Sequence, residues 1–205
     1  DWSSDVCSSD LTTTPSLSLP SGIRAGSGTD TAALVSGGYS NSGGQYNQTA
    51  VESWNGSAWS TPPASLNTGR TSGQGGTGTQ TAATVMGGFT YPPSGYRTDV
   101  ENYNGTSWTA GTSMNTGRRY HAVSGPPSSV LAYFGSGSPG VLASSELWNG
   151  SSWTASATGA TARETVAGLG NSGTSSLALC TGGSSPTLRN ATEAYTGPGI
   201  RSEEH

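Results

Sequence analysis

Four glutamates recur at nearly even intervals along the chain, and carboxylates are among the side chains that proteins use for acid–base catalysis. They are Glu52, Glu101, Glu146 and Glu193. An acid–base pair needs two such groups in one cleft, whereas one carboxylate every 45 to 49 residues distributes them around the molecule. Arginines recur in step with them, at Arg24, Arg70, Arg118 and Arg163. Because charges near a core are usually paired, we expect ion pairs or backbone hydrogen bonds here and predict no catalytic residue.

The sequence gives little support for metal or redox chemistry. Apart from the last residue of the chain, His121 is the only histidine. Metal sites draw on clusters of His, Cys and carboxylate side chains, and no such cluster is evident, so we predict neither a metal nor a cofactor. Cys180 lies in an apolar run where the equivalent residues are Val35 and Val85. We therefore expect it to be a small core residue rather than a reactive thiol.

Each glutamate begins a phrase that occurs four times. The phrase is glutamate, one variable residue, an aromatic residue, a turn that contains glycine, and then tryptophan, which the fourth copy lacks. A pair of glycines precedes three of the copies, and Gly135-Ser136 stands in that place before the third. Besides the glutamates, the repeated positions are Gly37, Gly38, Trp54, Gly56, Trp59, Gly87, Gly88, Tyr103, Gly105, Trp108, Trp148, Gly150, Trp153, Gly182, Gly183 and Tyr195. A repeat of this length indicates supersecondary units that stack on one another.

One unit of the repeat is typical of four short β-strands. The segment from Arg70 to Gly75 is predicted as a first strand, and the apolar runs that end in glycine suit a second strand buried on both faces. The third strand covers Val51 to Trp54, and the fourth begins at Trp59. Asn-Gly between them predicts a type I′ hairpin turn, because both residues tolerate the positive φ of that turn. No apolar stripe has helical spacing, so we expect almost no helix.

Four-stranded units of this length, with a glycine pair followed by an aromatic residue and a tryptophan, resemble the kelch family over about residues 13 to 200. The resemblance implies an all-β, partial kelch-type β-propeller of about three and three-quarter four-stranded antiparallel blades, plus one orphan strand before Arg24. The propeller fragment spans 12–200, with blades at about 24–66, 70–114, 118–160 and 163–200. The chain departs from the family where Ser136 replaces a glycine and where the fourth tryptophan is missing. A closed four-bladed ring, completed by the orphan strand, is the alternative.

The two ends of the chain differ from the repeat. Residues 1–11 and 201–205 both resemble translated sequencing adapter, read on opposite strands, and we expect them to be artefacts, the first of them disordered. Without them the acidic residues and arginines balance, and no lysine is present. A neutral surface argues against nucleic acid as a partner, since phosphate binding needs a cationic surface. No stretch indicates a membrane span, and the missing propeller blades are an expected partner.

Loops that vary between repeats provide the prediction of a binding site. In an antiparallel blade, the loops between the second and third strands emerge on the same face as the loops between blades. The Asn-Gly hairpins and the Gly-Thr-Gly-Thr turn at 76–79 emerge on the other. The first two variable loops contain the aromatic residues Tyr39, Tyr46, Phe89, Tyr91 and Tyr96. Recognition residues concentrate on loops held by a rigid scaffold, and tyrosine is a common contact residue, so we predict recognition here; unconstrained loops are the alternative.

Two further patterns favour a structural interpretation. The tryptophans could stack on sugar rings, but their regular positions beside the hairpins favour packing between blades. Five Asn-x-Ser/Thr triplets occur, and three of them are the hairpin turn itself, so backbone geometry explains them better than glycosylation does.

The resemblance to the kelch family implies a non-catalytic binding or structural module whose partner is a protein or a surface glycan. Phrases rich in Ser, Thr and Asn are similar to the kelch-like proteins of environmental bacteriophages, which implies a virion or tail-associated, extracellular protein with loops for host recognition. A microbial secreted or surface kelch protein that binds polysaccharide or protein is the first alternative. The second is a fragment of a kelch-type enzyme with its site in the missing blades, since the ligands of a copper-radical oxidase are lacking in this stretch.

Overall fold

The computed structural model describes residues 15–22, 24–40, 46–62, 64–71, 75–169, 175–188 and 190–197. Within these ranges the chain is all-β: it forms seventeen strands and no helix, as predicted from the sequence. The strands form four small antiparallel sheets and one separate two-stranded hairpin. The ends that resemble adapter sequence, 1–11 and 201–205, lie outside the described residues.

Each sheet is built from strands of a single repeat, so one repeat makes one blade. Blade one contains β1 (Ala25–Gly28), β2 (Ala33–Ser36), β3 (Val51–Trp54) and β4 (Trp59–Ser60). Blade two contains β5 (Gly75–Gly78), β6 (Ala83–Met86), β9 (Val100–Tyr103) and β10 (Trp108–Ala110), with the hairpin of β7 (Phe89–Thr90) and β8 (Gly95–Tyr96) inserted after β6. Blade three contains β11 (Ala122–Ser124), β12 (Leu131–Tyr133), β13 (Ser145–Trp148) and β14 (Trp153–Ala155). Blade four contains β15 (Ala167–Leu169), β16 (Leu177–Thr181) and β17 (Thr192–Thr196).

The four blades are arranged in a ring, like those of a four-bladed β-propeller. Their first strands contact one another in order, β1 with β5, β5 with β11 and β11 with β15. These strands surround a central channel of about 440 Å³, whose lining includes Gly26, Gly76, His121 and Gly168. Glycine is needed where the strands approach closely, because a Cβ on Gly76 would lie 2.9 Å from the Ala25 Cβ.

The predicted orphan strand is irregular chain in the residues that the structure describes. Between residues 15 and 22 the ladder contact is a single β-bridge, which joins Gly22 to Tyr39. Ser18 donates its N–H to Glu52 of blade one at 2.6 Å. The segment therefore packs on blade one rather than completing blade four. The arrangement agrees with the four-bladed alternative in the number of blades, while the described part of blade four has three strands.

The first strand of blade two extends further along the chain than predicted. Because β5 is Gly75–Gly78, most of the predicted turn at 76–79 lies inside the strand. The turn follows it, where Thr79 N donates to the Ala82 carbonyl at 2.9 Å. Small residues are required in this strand, since a Cβ on Gly75 would lie 2.4 Å from Val123 Cγ1 of the next blade. Glycine is otherwise depleted in strands, which is why the sequence pattern indicates a turn.

The Asn-Gly hairpins also differ from the prediction, because they are not type I′ turns. The aromatic residues on either side of the turn pair directly with each other, so four residues form the loop in blade one. Gly56 has a φ of +91°, but Asn55 does not adopt a positive φ. Asn55 Oδ1 instead accepts hydrogen bonds from the N–H groups of Ser57 at 2.9 Å and Ala58 at 2.8 Å. The asparagine is therefore needed for its side-chain acceptor.

Three apolar clusters form the core, each between two neighbouring blades. Trp108 of blade two shares a cluster with Leu66 of blade one, and Trp153 of blade three shares one with Met114 of blade two. The predicted packing of these tryptophans between blades is therefore confirmed. Each ring also contacts the aromatic residue across its hairpin, as in the stacked pair of Tyr103 and Trp108 with centroids 5.0 Å apart.

Blade four is covered on one face only. Along β16, Ala178 and Cys180 are buried, whereas Leu177 and Leu179 are 53% and 38% exposed. Burial raises the pKa of the Cys180 thiol to about 11. The cysteine therefore lies in the core as a neutral thiol, in agreement with the sequence-based prediction.

In blade three, the two positions of the glycine pair are occupied by Phe134 and Gly135, not by Gly135 and Ser136. Gly135 N donates to the Arg163 carbonyl at 2.9 Å, as the second glycines of blades one and two donate to the equivalent arginines. Phe134 has a φ of +60°, which matches the +63° of Gly87, the first glycine of the pair in blade two. The residue that departs from the repeat is therefore Phe134, a bulky residue in a conformation that favours glycine.

A glycine at the same interface compensates for the bulk of Phe134. The N–H groups of Leu66 and Met114 each donate to a carbonyl two residues before the third strand of their blade, at Thr49 and Thr98 respectively. Gly159 N donates to the Ala143 carbonyl, which is the equivalent position in blade three. A Cβ on Gly87 would lie 3.0 Å from Met114 Cε, and a Cβ on Gly159 would lie 2.3 Å from Phe134 Cε1. The small and large residues have thus exchanged places, and the Phe134 ring fills the space that a leucine or methionine fills at the other interfaces.

Candidate functional site

The recurring glutamates are held by the chain segment that precedes each blade. Glu101 accepts hydrogen bonds from Asn67 N at 2.7 Å, Thr68 N at 3.2 Å and Arg70 Nη2 at 2.7 Å. Blade three repeats the same three contacts around Glu146. Across the four blades the ion pairs are Arg24–Glu52, Arg70–Glu101, Arg118–Glu146 and Arg163–Glu193. We call each such arrangement a clamp; the expected ion pairs are present in all four.

The arginine of a clamp also binds backbone carbonyls. Arg118 Nη1 donates to the carbonyls of Phe134 at 2.9 Å and Ser144 at 3.0 Å, and the arginines that serve blades two and four make equivalent bonds. Arg118 is fully buried. Burial lowers the pKa of its guanidinium, and the bond to Glu146 opposes that shift. The clamps therefore join the end of one repeat to the next blade and leave their charges occupied.

Blade one forms its clamp with an arginine from a different position. Gly22 forms a β-bridge with Tyr39, and the equivalent bridge of blade three joins Arg119 to Ser136. Ser21, the residue before Gly22, therefore occupies the position that the clamp arginine has in the other blades, and Arg24 follows three residues later. Arg24 Nη1 still reaches Glu52 Oε2 at 2.6 Å. Burial alone would raise the pKa of Glu52, but hydrogen bonds from Ser18 and the ion pair with Arg24 outweigh it and leave this pKa below its ordinary value. The ion pair is therefore present in blade one, although its arginine comes from a different position of the repeat.

The predicted recognition residues come together on one face of the propeller. Tyr39, Tyr46, Phe89 and Tyr91 line an open cleft of about 400 Å³. The fifth predicted residue, Tyr96, lies beside Phe89, with ring centroids 5.2 Å apart and the rings nearly perpendicular. The cleft therefore joins the variable loop of blade one to that of blade two. We call this surface the aromatic cleft and this side of the molecule the loop face.

The rings of the aromatic cleft contact one another. Tyr39 and Tyr46 are stacked with centroids 5.8 Å apart, and Tyr46 meets Tyr91 edge-on at 5.7 Å. Tyr39 is 39% exposed and Tyr91 is 51% exposed. Such arrangements are favourable for aromatic pairs, so the rings support one another while they leave much of their surface to solvent.

A side chain of blade one fixes the position of Tyr91 in blade two. Asn47 Nδ2 donates to the Tyr91 carbonyl at 3.0 Å, and Tyr91 N donates to Asn47 Oδ1 at 2.9 Å. This pair of hydrogen bonds joins the two loops across the blade boundary. The backbone that carries the Tyr91 ring is therefore held in place before any ligand arrives, which lowers the entropic cost of binding.

Three residues of the cleft were missed by the sequence-based prediction. Thr71, Arg119 and Tyr120 line it from the connections between blades. The Arg119 guanidinium lies 4.5 Å from the centroid of the Phe89 ring and 4.9 Å from that of Tyr120. The available signal was a second arginine directly after the clamp arginine of blade three, followed by a tyrosine that the other repeats lack. Its placement confirms that the loops between blades share a face with the variable loops.

Other candidate chemistry is sparse. Among the residues that the structure describes, no group of three or more His, Cys, Asp and Glu side chains could hold a metal ion. His121, the isolated histidine of the sequence, lines the central channel. The described ranges also contain no helix that is long and apolar enough to cross a membrane.

The geometry thus separates two groups of residues: the clamps, whose charges are paired, and the aromatic cleft, where Tyr39 and Tyr91 are exposed. No family model matches the sequence, and a comparison with curated proteins finds no match. Function is therefore inferred from the fold and from the chemistry of the aromatic cleft.

Proposed function

We propose that the chain is a non-catalytic binding module of the kelch type that recognises a glycan through the aromatic cleft. The supporting observation is that four aromatic residues from two blades, Tyr39, Tyr46, Phe89 and Tyr91, meet in one open cleft. Ligand sites are typically concave and lined by aromatic side chains with a few polar groups. Tyrosine offers an apolar ring face for a sugar ring and a hydroxyl group for hydrogen bonds with sugar hydroxyls.

The state of the carboxylates supports a non-catalytic function. A general acid or base must be able to reach the proton that it transfers. Glu52 and Glu101 are 0% and 2% exposed, and each is engaged by an arginine and by backbone N–H groups. The recurring glutamates are therefore committed to the scaffold, and none of them lines the aromatic cleft.

The glycine pairs, the aromatic residues and the propeller-like ring support membership of the kelch type. The phrases rich in Ser, Thr and Asn support a virion or tail-associated protein of a bacteriophage, located outside the host cell, with a host-surface glycan as its partner. Recovery of the complete gene and its neighbours tests the source: capsid or tail genes alongside it are expected. Neighbours without virion genes would argue for a microbial surface protein instead.

A glycan array probed with the full chain tests the binding function. We expect selective binding to one class of glycan, and we expect Tyr91→Ala to weaken it at least tenfold because Tyr91 provides the most exposed ring of the cleft. Leu188→Ala is the matched control, since Leu188 is an 89% exposed apolar residue on the variable loop of blade four, outside the cleft. Absence of binding to every glycan, or equal weakening by both substitutions, would contradict the proposal.

A further inference from the structure

We propose that the aromatic cleft selects a glycan that carries a carboxylate, such as a uronic or sialic acid, and that Arg119 binds this carboxylate. The inference rests on the proposed glycan-binding function and adds the charge of the ligand. Arg119 lines the cleft together with neutral residues only, namely tyrosines, a phenylalanine and a threonine. Its guanidinium is therefore the single formal charge among the lining residues.

Arg119 differs from every other arginine that the structure describes. Each of the others forms an ion pair in direct contact with a carboxylate; they are Arg24, Arg70, Arg97, Arg118 and Arg163. No ion pair engages Arg119 within the described residues. Its buried Nε lacks a hydrogen-bond partner, as do those of Arg24, Arg70 and Arg118, so the missing ion pair is what sets Arg119 apart. A carboxylate on a ligand would give this guanidinium the kind of partner that the other arginines find within the protein.

Three aromatic rings lie close to the Arg119 guanidinium. The guanidinium carbon lies 4.5 Å from the Phe89 ring centroid, 4.9 Å from that of Tyr120 and 5.5 Å from that of Tyr96. Cation–π contacts with these rings hold the guanidinium in place. Its N–H groups lie in the plane of the group, where a carboxylate can accept two of them side by side. The rings thus position an arginine that has no carboxylate partner within the described residues.

A carboxylated sugar fits this arrangement better than a nucleic acid does. A phosphate backbone needs several cationic side chains along a surface, whereas the cleft presents one. A carboxylated sugar has one charge for the Arg119 fork and a ring that can lie against Tyr39, Tyr46 or Tyr91. The neighbouring Arg97 does not add to the charge, because it is paired with Asp99 at 2.5 Å.

Paired oligosaccharides test the proposal. The full chain is titrated with uronic acid and sialic acid oligosaccharides, each as the free acid and as the neutral methyl ester, and with acidic peptides. We expect at least one free acid to bind ten or more times more tightly than its ester, and its affinity to fall with added salt. Arg119→Gln should lower affinity for that acid to the level of the ester, and leave the ester unchanged. Arg119→Lys, which keeps the charge but loses the fork, should give an intermediate affinity.

Arg97→Gln is the matched control: it removes a nearby arginine that is already paired, and it should leave both affinities unchanged. Thermal unfolding shows whether each variant is folded. Equal affinity for the acid and the ester, or equal weakening of both by Arg119→Gln, would overturn the selection of a carboxylate while leaving the glycan-binding function intact. Binding of an acidic peptide but of no glycan, or no binding at all, would overturn both.

Discussion

The two faces of the propeller differ in how far they repeat. On the hairpin face, Asn55, Asn104 and Asn149 each accept hydrogen bonds from the N–H groups two and three residues later, all between 2.8 and 3.0 Å. On the loop face, the connection in blade two contains an extra hairpin, β7–β8, and the connection in blade one has none in its described part. The aromatic cleft lies where these unequal loops meet.

We interpret this difference as a separation between residues that stabilise the repeat and residues that are available for the proposed recognition. Contacts that occur once per blade are made within the protein, and the charges of the clamps are paired. Residues that depart from the repeat, such as Tyr91 and Arg119, do not have to serve a common packing position. The comparison therefore predicts large losses of stability from changes in the repeated contacts and small losses from changes in the cleft.

The largest effect is expected from a change in a clamp. Glu146→Ala leaves the fully buried Arg118 without its carboxylate, and loss of one partner of a buried ion pair costs about 3–5 kcal/mol. The free energy of unfolding in urea measures this loss. Asp30→Ala, at an exposed carboxylate of blade one, is the control and should change stability by less than about 0.5 kcal/mol. A loss in the clamp variant no larger than in the control would show that the repeated ion pairs do not stabilise the protein.

A second effect comes from the interface of blades three and four. Phe134→Gly alone empties a buried site, and Gly159→Leu alone places side-chain atoms against the Phe134 ring, so each should cost on the order of 3 kcal/mol. The double variant restores the small and large residues of the other interfaces, and it should recover about 1–3 kcal/mol of the summed losses. A double-mutant cycle on unfolding free energies measures the coupling. Strict additivity would show that the two positions do not exchange roles.

The hairpin face should respond moderately. Asn104→Ala removes the acceptor for Thr106 N at 3.0 Å and Ser107 N at 2.9 Å, so we expect a loss of about 1 kcal/mol. Thr109→Ala, an exposed change on the adjoining strand, should lie within about 0.5 kcal/mol of the parent protein. Equal stability of the two variants would mean that the repeated asparagine does not stabilise the loop.

The smallest effect is a pH dependence that belongs to the clamp of blade one. The folded-state pKa of Glu52 lies below its ordinary value of 4.5. Its ionised form therefore stabilises the protein above that pH, and this contribution is lost as the pH falls through the folded-state pKa. Glu52→Gln should show a flatter decline of unfolding free energy below pH 4.5 than the parent protein. Parallel declines would show that Glu52 does not contribute to acid sensitivity.

Much of the scaffold could be predicted from the sequence because it repeats. The four-stranded units, the paired charges and the packing of Trp108 and Trp153 follow from side chains that recur at one spacing. The exchange of Phe134 and Gly159 could not be predicted, because each is a single departure whose compensation lies in a distant segment. The turn geometry was also inaccessible, since Asn-Gly suits both a two-residue turn and a four-residue loop with a side-chain acceptor.

The aromatic cleft was predicted only in part, for a related reason. Its tyrosines stand out as aromatic residues in variable loops, and a common face follows from the alternating direction of the strands. Arg119 was hidden because it follows Arg118, whose clamp position explains an arginine at that point of the repeat. The bond between Asn47 and Tyr91 joins residues of different blades, and nothing in the local sequence indicates that pairing.

The most direct test of the account is to locate the ligand on the protein. The glycan bound most tightly on the array is titrated into ¹⁵N-labelled protein, and the amide chemical shifts are followed. Perturbations should be concentrated on the loop face, at Tyr39, Tyr46, Phe89, Tyr91 and Arg119, while the hairpin amides near Asn55, Asn104 and Asn149 stay unchanged. Perturbations centred on the hairpin face or on the central channel would contradict the assignment of recognition to the aromatic cleft.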